Sequence, residues 1–120
     1  MSISSGPTDQ VLMQETIGKC FRTTAAAYPD HVGLVVRHQS VRWTYSEYLR
    51  HVDELATGLI ALGIQPGDRV GIWAPNCYEW CLTQFATASI GAIMVCINPA
   101  YRVYELEYAL NKVQCRALIT

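Results

Sequence analysis

The chain has 120 residues, of which 51% are hydrophobic and 16% are charged, and its formal net charge is -1. This composition is typical of one folded domain with a buried core, and it excludes a disordered chain. Because nine Lys and Arg are balanced by ten Asp and Glu, the charge also argues against a surface that binds nucleic acid.

The start of the chain carries no recognisable sorting signal. Its first ten residues, MSISSGPTDQ, lack the apolar core of a secretory signal and the arginines of a transit peptide. We therefore expect a cytoplasmic protein of bacterial type, with a mitochondrial matrix protein whose transit peptide has been removed as the alternative. Residues 1–15 are predicted to be flexible. The longest apolar stretch, at about residues 85–97, falls short of the ~18 to 20 residues that cross a bilayer, so no transmembrane segment is expected.

Residues 16–44 predict a short helix followed by a β-hairpin. Residues 16–28 are rich in Ala and Thr and include Ile17 and Phe21 about one helical turn apart, and Pro29 disfavours the α conformation for the residue before it. The segments VGLVV and VRW then flank RHQS. This arrangement is typical of two short strands joined by a turn.

A second helix is marked by its own capping residues. Thr44 and Glu47 have the T-x-x-E spacing of a capping box, and Gly63 stands where a left-handed C-terminal cap belongs. Between them, eight apolar residues recur with the helical period: Tyr45, Tyr48, Leu49, Val52, Leu55, Ala56, Leu59 and Ile60. The segment therefore predicts an amphipathic helix with its polar face in solvent.

The rest of the chain alternates strands and helices. Asn76 is predicted to cap the first of these helices together with Glu79, three residues further on. The apolar segments VGIWA, AIMVCI and RALIT predict three strands, centred near Ile72, Val95 and Leu118. A helix between each pair of strands is typical of βαβαβ units, so we predict an α/β fold with a mostly parallel sheet that helices cover on both faces.

Polar residues directly follow the second of these strands. In open parallel sheets, ligands bind outside the carboxyl ends of the strands, and Asn98, Tyr101 and Arg102 come just after AIMVCI. An Arg at this place could pair with a phosphate, and a Tyr could pack on a flat or pantetheine-like ligand. The alternative is structural: Asn98 and Pro99 form a turn, and Tyr101 is a packing anchor.

Motifs that carry chemistry by themselves are absent from the sequence. It contains no Gly-rich dinucleotide or phosphate loop, no G-x-S-x-G and no H-E-x-x-H. Cys77 and Cys81 could join a His in a metal site, but no second pair of ligands completes it. The five scattered cysteines instead predict reduced thiols in the core. We therefore expect no catalytic residue and no metal ligand in this chain.

Five landmarks follow one another with a spacing that resembles a known family: TYSE, GIQPGDRV, PNCYEW, GAIMVCINPAYR and ELEYAL. Together they make residues 16–120 similar to the amino-terminal part of the AMP-forming acyl-CoA synthetases, and most similar to the medium-chain fatty acyl-CoA synthetase branch. The resemblance implies a ligase that uses ATP and Mg²⁺ to convert a fatty or other carboxylic acid to an acyl-adenylate, and then transfers the acyl group to CoA. It also implies that residues 16–120 are the first, incomplete portion of the large domain of such an enzyme.

The resemblance implies that the family's phosphate loop, its adenine and Mg²⁺ motifs and its catalytic Lys lie downstream of Thr120. The resemblance therefore assigns no catalytic residue here, and it implies only that Asn98, Tyr101 and Arg102 lie near the acyl and CoA tunnel. The chain alone is expected to be inactive and to need the remainder of the polypeptide.

Two alternatives to the ligase hypothesis remain at this point. One is a free-standing, non-catalytic α/β module that binds an acyl chain, a nucleotide or a protein partner. The other is an unrelated flavodoxin-like nucleotide domain, which is disfavoured because no Gly-rich turn follows the first strand of the parallel sheet.

Overall fold

The computed structural model describes residues 2–9 and 11–120. Within these residues, a helix and a hairpin are followed by alternating helices and strands. The elements are α1 (Ile17–Ala27), β1 (Val32–Val36), β2 (Val41–Thr44), α2 (Tyr45–Ala61), β3 (Arg69–Trp73), α3 (Tyr78–Ile90), β4 (Ile93–Ile97), α4 (Val103–Val113) and β5 (Cys115–Ile119). A short 3₁₀ turn, Arg37–Gln39, joins β1 to β2. None of the helices in the described part of the chain has both the length and the apolar character that a membrane crossing requires.

The segment predicted to be flexible, residues 1–15, includes positions 1 and 10, which lie outside the described residues. The rest of that segment contains no helix or strand. Its flexibility stays a prediction.

The last three strands form one parallel sheet in the order β4-β3-β5. Trp73 at the end of β3 lies opposite Ile97 of β4, and Ile72 lies opposite Ile119 of β5. The strands β1 and β2 form a separate antiparallel hairpin. The prediction of an α/β fold with βαβαβ units, preceded by a short helix and a hairpin, is confirmed.

The core lies between the parallel sheet and the helices α1, α2 and α3. Val70 and Ile72 of the central strand are 0% exposed, because β3 has a neighbouring strand on each side and helices above it. The largest cluster of buried side chains joins this strand to the helices, and its members are Phe21, Tyr48, Val52, Ala56, Leu59, Ile64, Val70 and Ala86. Burial of this apolar surface is the main stabilising contribution to the fold.

The opposite face of the sheet is closely packed only near its centre. A Cβ atom on Gly71 would lie 3.0 Å from Ile97 Cδ1 and 3.1 Å from Leu118 Cδ1, so these two side chains close over the glycine. By contrast, Ile93 at the start of the edge strand β4, on the same face as Gly71, is 51% exposed, and no residue of α4 is buried. The expectation that helices cover both faces is therefore wrong for this face of β4, because α4, the helix that follows it, buries none of its residues.

The helix α2 begins as its sequence predicts. The Thr44 hydroxyl accepts the Glu47 backbone N–H at 3.2 Å, and the Glu47 carboxylate accepts the Thr44 N–H at 2.8 Å. Gly63 follows the helix with a φ of +86°, a left-handed conformation that favours glycine. The capping box and the glycine that ends this helix are both as expected.

The helix α3 begins differently from the prediction. Its N-cap residue is Cys77 rather than Asn76, and no side chain of the cap residue binds the helix end. Instead, Gln39 from the hairpin turn accepts the Tyr78 N–H at 2.7 Å and donates to the Glu79 carboxylate at 3.0 Å. The predicted pair of Asn76 and Glu79 is wrong because a residue from another element binds both groups.

Candidate functional site

The carboxyl ends of the three parallel strands meet at one edge of the sheet, which we call the strand-end rim. It consists of the residues that follow each strand: Ala74, Pro75 and Asn76 after β3, Asn98 to Arg102 after β4, and Thr120 after β5. The registers of Trp73 with Ile97 and of Ile72 with Ile119 align these ends. The structure therefore places the residues that follow the three strands on one edge of the sheet, as the predicted parallel βαβαβ order requires.

The first part of the loop after β4 is a turn. The Asn98 side-chain Oδ1 accepts the Ala100 N–H at 2.9 Å, and the Asn98 carbonyl accepts the Tyr101 N–H at 3.0 Å. Pro99 stands at the second position, where its fixed φ suits such a turn. The structural alternative for Asn98 is thus observed, and its side-chain oxygen is used to fix the loop.

The second part of the loop presents its side chains to solvent. Tyr101 is 39% exposed, which does not fit the alternative in which it is a packing anchor. Arg102 is the N-cap residue of α4, and its backbone N–H donates to the Glu105 carboxylate at 3.1 Å. Because only its backbone takes part in this bond, the exposed Arg102 side chain is available to an anionic group.

Two tryptophans adjacent to this rim, Trp73 at the end of β3 and Trp80 on α3, were not identified from the sequence. The Trp80 indole on α3 donates to the carbonyl of Ala74 at 2.9 Å, which ties the helix to the end of β3. The indole nitrogen of Trp73 is buried and has no hydrogen-bond partner among the described residues. The sequence shows a Trp near the end of the apolar strand VGIWA, which is the only feature that could have drawn attention to Trp73. The pattern does not show which groups its indole contacts.

The thiol at the start of α3 has a pKa above the usual value for a cysteine. Burial raises the pKa of Cys77, and the neighbouring Glu79 carboxylate raises it further. A reactive cysteine at a helix start normally has a lowered pKa, since the thiolate is the reactive form. A thiol with a raised pKa is a poor nucleophile, so Cys77 is not a candidate for that role.

Cation-binding groups are sparse in the described chain. It holds no group of three or more His, Cys, Asp or Glu side chains arranged to bind a metal ion. At the strand-end rim, the side chains with polar groups are those of Asn76, Asn98, Tyr101, Arg102 and Thr120. A guanidinium suits a phosphate, whereas Mg²⁺ prefers carboxylate oxygens, so these rim residues fit a phosphate and not a bound Mg²⁺.

Comparison with known proteins identifies the family. The model of the AMP-binding enzyme family matches residues 21–120, which is most of the chain. This chain belongs to the AMP-binding enzyme family. The resemblance to AMP-forming acyl-CoA synthetases, drawn from the five landmarks, is thereby confirmed.

Relatives of this AMP-binding family chain include medium-chain acyl-CoA ligases. The mitochondrial medium-chain acyl-CoA ligase ACSF2 of Homo sapiens is 46% identical over 119 residues, 99% of this chain and 19% of the relative. ACSF2 of Bos taurus is 48% identical over 108 residues, 90% of this chain and 18% of the relative. The chain thus spans about a fifth of the length of the curated relatives that it matches.

Solved structures show the same fold. The inhibitor-bound N-terminal domain of FACL13 from Mycobacterium tuberculosis has a TM-score of 0.84 and 30% sequence identity. The match covers 88% of this chain and 26% of that domain. The chain of this AMP-binding family member is therefore similar to part of an N-terminal domain, as the landmarks predict.

Proposed function

We propose that this chain is the N-terminal portion of an ATP-dependent, AMP-forming ligase for medium-chain fatty acids. The observation that carries the proposal is the 46% identity to the human medium-chain acyl-CoA ligase over 119 residues. In the complete reaction, the carboxylate attacks the α-phosphate of ATP and releases pyrophosphate. The CoA thiol then displaces AMP from the acyl-adenylate. In this proposal, residues 16–120 are the first portion of the large adenylate-forming domain.

The strand-end rim would then form one wall of the substrate site. Asn98 would fix the loop after β4 through its turn, and Trp80 would hold the end of β3 in place through Ala74. Tyr101 would pack on the acyl chain or the pantetheine arm, and Arg102 would pair with a phosphate of a nucleotide or of CoA. ATP, CoA and the fatty acid are substrates in this proposal, and Mg²⁺ would be held by residues outside this chain.

The compartment is part of the same proposal. The relatives include mitochondrial proteins of mammals and a protein of a bacterium, which supports either a bacterial-type cytoplasm or a mitochondrial matrix. Localisation of a tagged protein in its native cell would distinguish the two.

The test begins with the natural reading frame. A Ser/Thr/Gly-rich loop with a Lys encoded downstream of Thr120 supports the ligase, whereas a stop codon directly after Thr120 supports the free-standing module. Pyrophosphate release is then measured with ATP, Mg²⁺, CoA and octanoate. We expect turnover from the natural polypeptide that contains this chain, and none above background from residues 1–120 alone. Turnover by residues 1–120, or a longer polypeptide that is folded but inactive with carboxylic acids, would contradict the proposal.

The rim residues are tested in the same natural polypeptide. Arg102→Ala is expected to raise the KM for ATP or CoA about tenfold or more, which corresponds to the loss of one charge-assisted hydrogen bond. Arg116→Ala is the matched control, because Arg116 is an exposed residue on β5. Equal KM values for the two variants would contradict a role for Arg102 in binding.

A further inference from the structure

Arg69, the first residue of β3, binds backbone carbonyls of two other segments. Its Nε donates to the Val113 carbonyl at 2.8 Å, and its two terminal nitrogens donate to the carbonyls of Gly67 at 3.0 Å and of Gln114 at 3.5 Å. A further bond of 3.3 Å reaches the Gln114 side-chain oxygen. Val113 is the last residue of α4 and Gln114 is its C-cap, so one side chain joins the turn before β3 to the end of α4.

A guanidinium suits this place. The carbonyls of the last helical turn have no partner within the helix, and they form the negative end of the helix dipole. A cation there forms charge-assisted hydrogen bonds, and a planar guanidinium can bind several acceptors at once. Arg69 therefore caps α4 from outside the helix.

The helix α4 has few other attachments. None of its residues is buried, and its least exposed side chains are half-buried: Leu106, Ala109, Leu110 and Val113. Within residues 2–9 and 11–120, no side chain other than that of Arg69 forms a hydrogen bond between α4 or its C-cap and a different element. Segments with little buried surface open locally at a low free energy. Arg69 is therefore the main polar anchor of this helix.

The segment that carries Arg69 is itself fixed. The Gly67 N–H donates to the Gly91 carbonyl at 2.8 Å, and the Ile93 N–H donates to the Asp68 carbonyl at 2.8 Å. These bonds tie the turn before β3 to the segment between α3 and β4. Because the guanidinium is held from a fixed segment, it defines where the C-terminal end of α4 lies relative to the sheet.

The opposite end of α4 lies at the strand-end rim, where Arg102 is the N-cap residue. A helix of 11 residues is about 16 Å long and moves as a stiff rod, so a shift at one end displaces the other. We propose that Arg69 is a positioning residue, which fixes the place of Arg102 at the rim without touching a substrate. This inference rests on the proposed function, because it requires that Arg102 pairs with a phosphate of ATP or CoA.

Hydrogen exchange of the 120-residue chain tests the hold on α4 separately from any ligase activity. Arg69→Met keeps the apolar length of the side chain and removes its donors. We expect the backbone amides of residues 106–113 to exchange at least about tenfold faster in this variant. Arg116→Met is the matched control, because Arg116 is exposed on the neighbouring strand β5, and it should leave the exchange of α4 unchanged. Equal exchange of α4 in the two variants would overturn the proposal.

A double-mutant cycle tests the positioning of Arg102 in the natural polypeptide that contains this chain. Arg69→Met should raise, by about threefold or more, the same KM that Arg102→Ala raises, and kcat should stay within about twofold. In a protein that already carries Arg102→Ala, Arg69→Met should change this KM by less than about twofold, since the side chain that it positions is gone. A merely structural role would give equal effects in both backgrounds, and that result would overturn the proposal.

A second variant keeps the proposal testable if Arg69→Met does not fold. Arg69→Lys keeps the charge but offers a single ammonium to four acceptors, so its effect on KM should be smaller and should again vanish in the Arg102→Ala background. Equal effects of Arg69→Lys in both backgrounds would likewise overturn the proposal.

The cycle also separates two kinds of failure. An unchanged KM in Arg102→Ala would refute the binding role of Arg102, and the inference with it. A raised KM in Arg102→Ala beside an unchanged KM in Arg69→Met would refute the positioning role alone.

Discussion

At the scale of single residues, Gln39 shows how a side chain far away in the sequence can replace a local cap. Its amide accepts the Tyr78 N–H and donates to Glu79, so it satisfies a free N–H at the start of α3 that Asn76 was predicted to satisfy. The same two bonds fasten the hairpin turn to this helix. Gln39 therefore stabilises both a helix end and the contact between two elements.

Gln39→Leu should lower the free energy of unfolding by about 1 kcal/mol, because the cap is lost. Urea denaturation followed by circular dichroism measures the change. Gln84→Leu is the matched control, since Gln84 is exposed on α3, and we expect it to change stability by less than about 0.5 kcal/mol. Similar effects of the two substitutions would contradict the capping role of Gln39.

The Gln39 contact should also depend on pH. Burial raises the pKa of the Glu79 carboxyl, but hydrogen bonds from Gln39 and from its other neighbours outweigh burial, and the pKa lies below its usual range. A carboxyl whose pKa is lower in the folded than in the unfolded chain stabilises the fold at pH values above its unfolded pKa. This stabilisation is lost as the pH falls through the folded pKa. The destabilisation by Gln39→Leu should therefore shrink between about pH 7 and about pH 3. A difference that stays constant over this range would contradict the assignment.

At the scale of elements, two helical glycines differ in what surrounds them. A Cβ on Gly18 of α1 would lie 3.0 Å from Ser89 Cα and 3.1 Å from the Ala88 carbonyl oxygen, both backbone atoms of α3. A Cβ on Gly58 of α2 would have no atom within 4 Å. Gly18 thus permits two helix backbones to approach closely, whereas Gly58 has no packing role.

The substitutions Gly18→Ala and Gly58→Ala should change stability in opposite directions. Gly58→Ala should raise the free energy of unfolding by about 0.5 to 1 kcal/mol, because alanine has the higher helix propensity. Gly18→Ala should lower it by about 1 to 3 kcal/mol, because the added methyl group forces α1 away from α3. Thermal and urea denaturation measure both. A stabilised Gly18→Ala variant would contradict the close contact of these helices.

At the scale of the whole molecule, apolar side chains remain exposed on α4. Val103 is 73% exposed and Tyr104 is 84% exposed, and Tyr108 is also exposed. Exposed apolar patches favour association. We therefore expect the 120-residue chain to self-associate as its concentration rises. Sedimentation velocity should show less association for Tyr104→Glu than for Gln84→Glu, which makes the same charge change on α3. A chain that is monomeric at all concentrations would contradict this expectation.

The sequence predicts those features whose signal is local. The capping box of Thr44 and Glu47, the glycine after α2 and the alternation of strands and helices all depend on residues close together in the chain, and all are present. The same alternation places the loop from Asn98 to Arg102 at a strand end. The binding role of that loop stays a prediction.

The features that the sequence did not predict depend on partners far apart in the chain. The bond from Gln39 to Tyr78 joins the hairpin to α3, and hydrophobic periodicity contains no information about such a pair. Periodicity also does not say which strand takes the central position, since β4-β3-β5 and other orders have the same pattern of apolar segments.

The strand order has a consequence for synthesis on the ribosome. β3 lies between β4 and β5, so a nascent chain that has reached only residue 114 can pair one side of its most buried strand, and the other side has no partner. The growing polypeptide therefore holds an open hydrogen-bonding edge until residues 115–119 leave the exit tunnel. During that interval, a chaperone or a neighbouring nascent chain competes for the edge that β5 later covers.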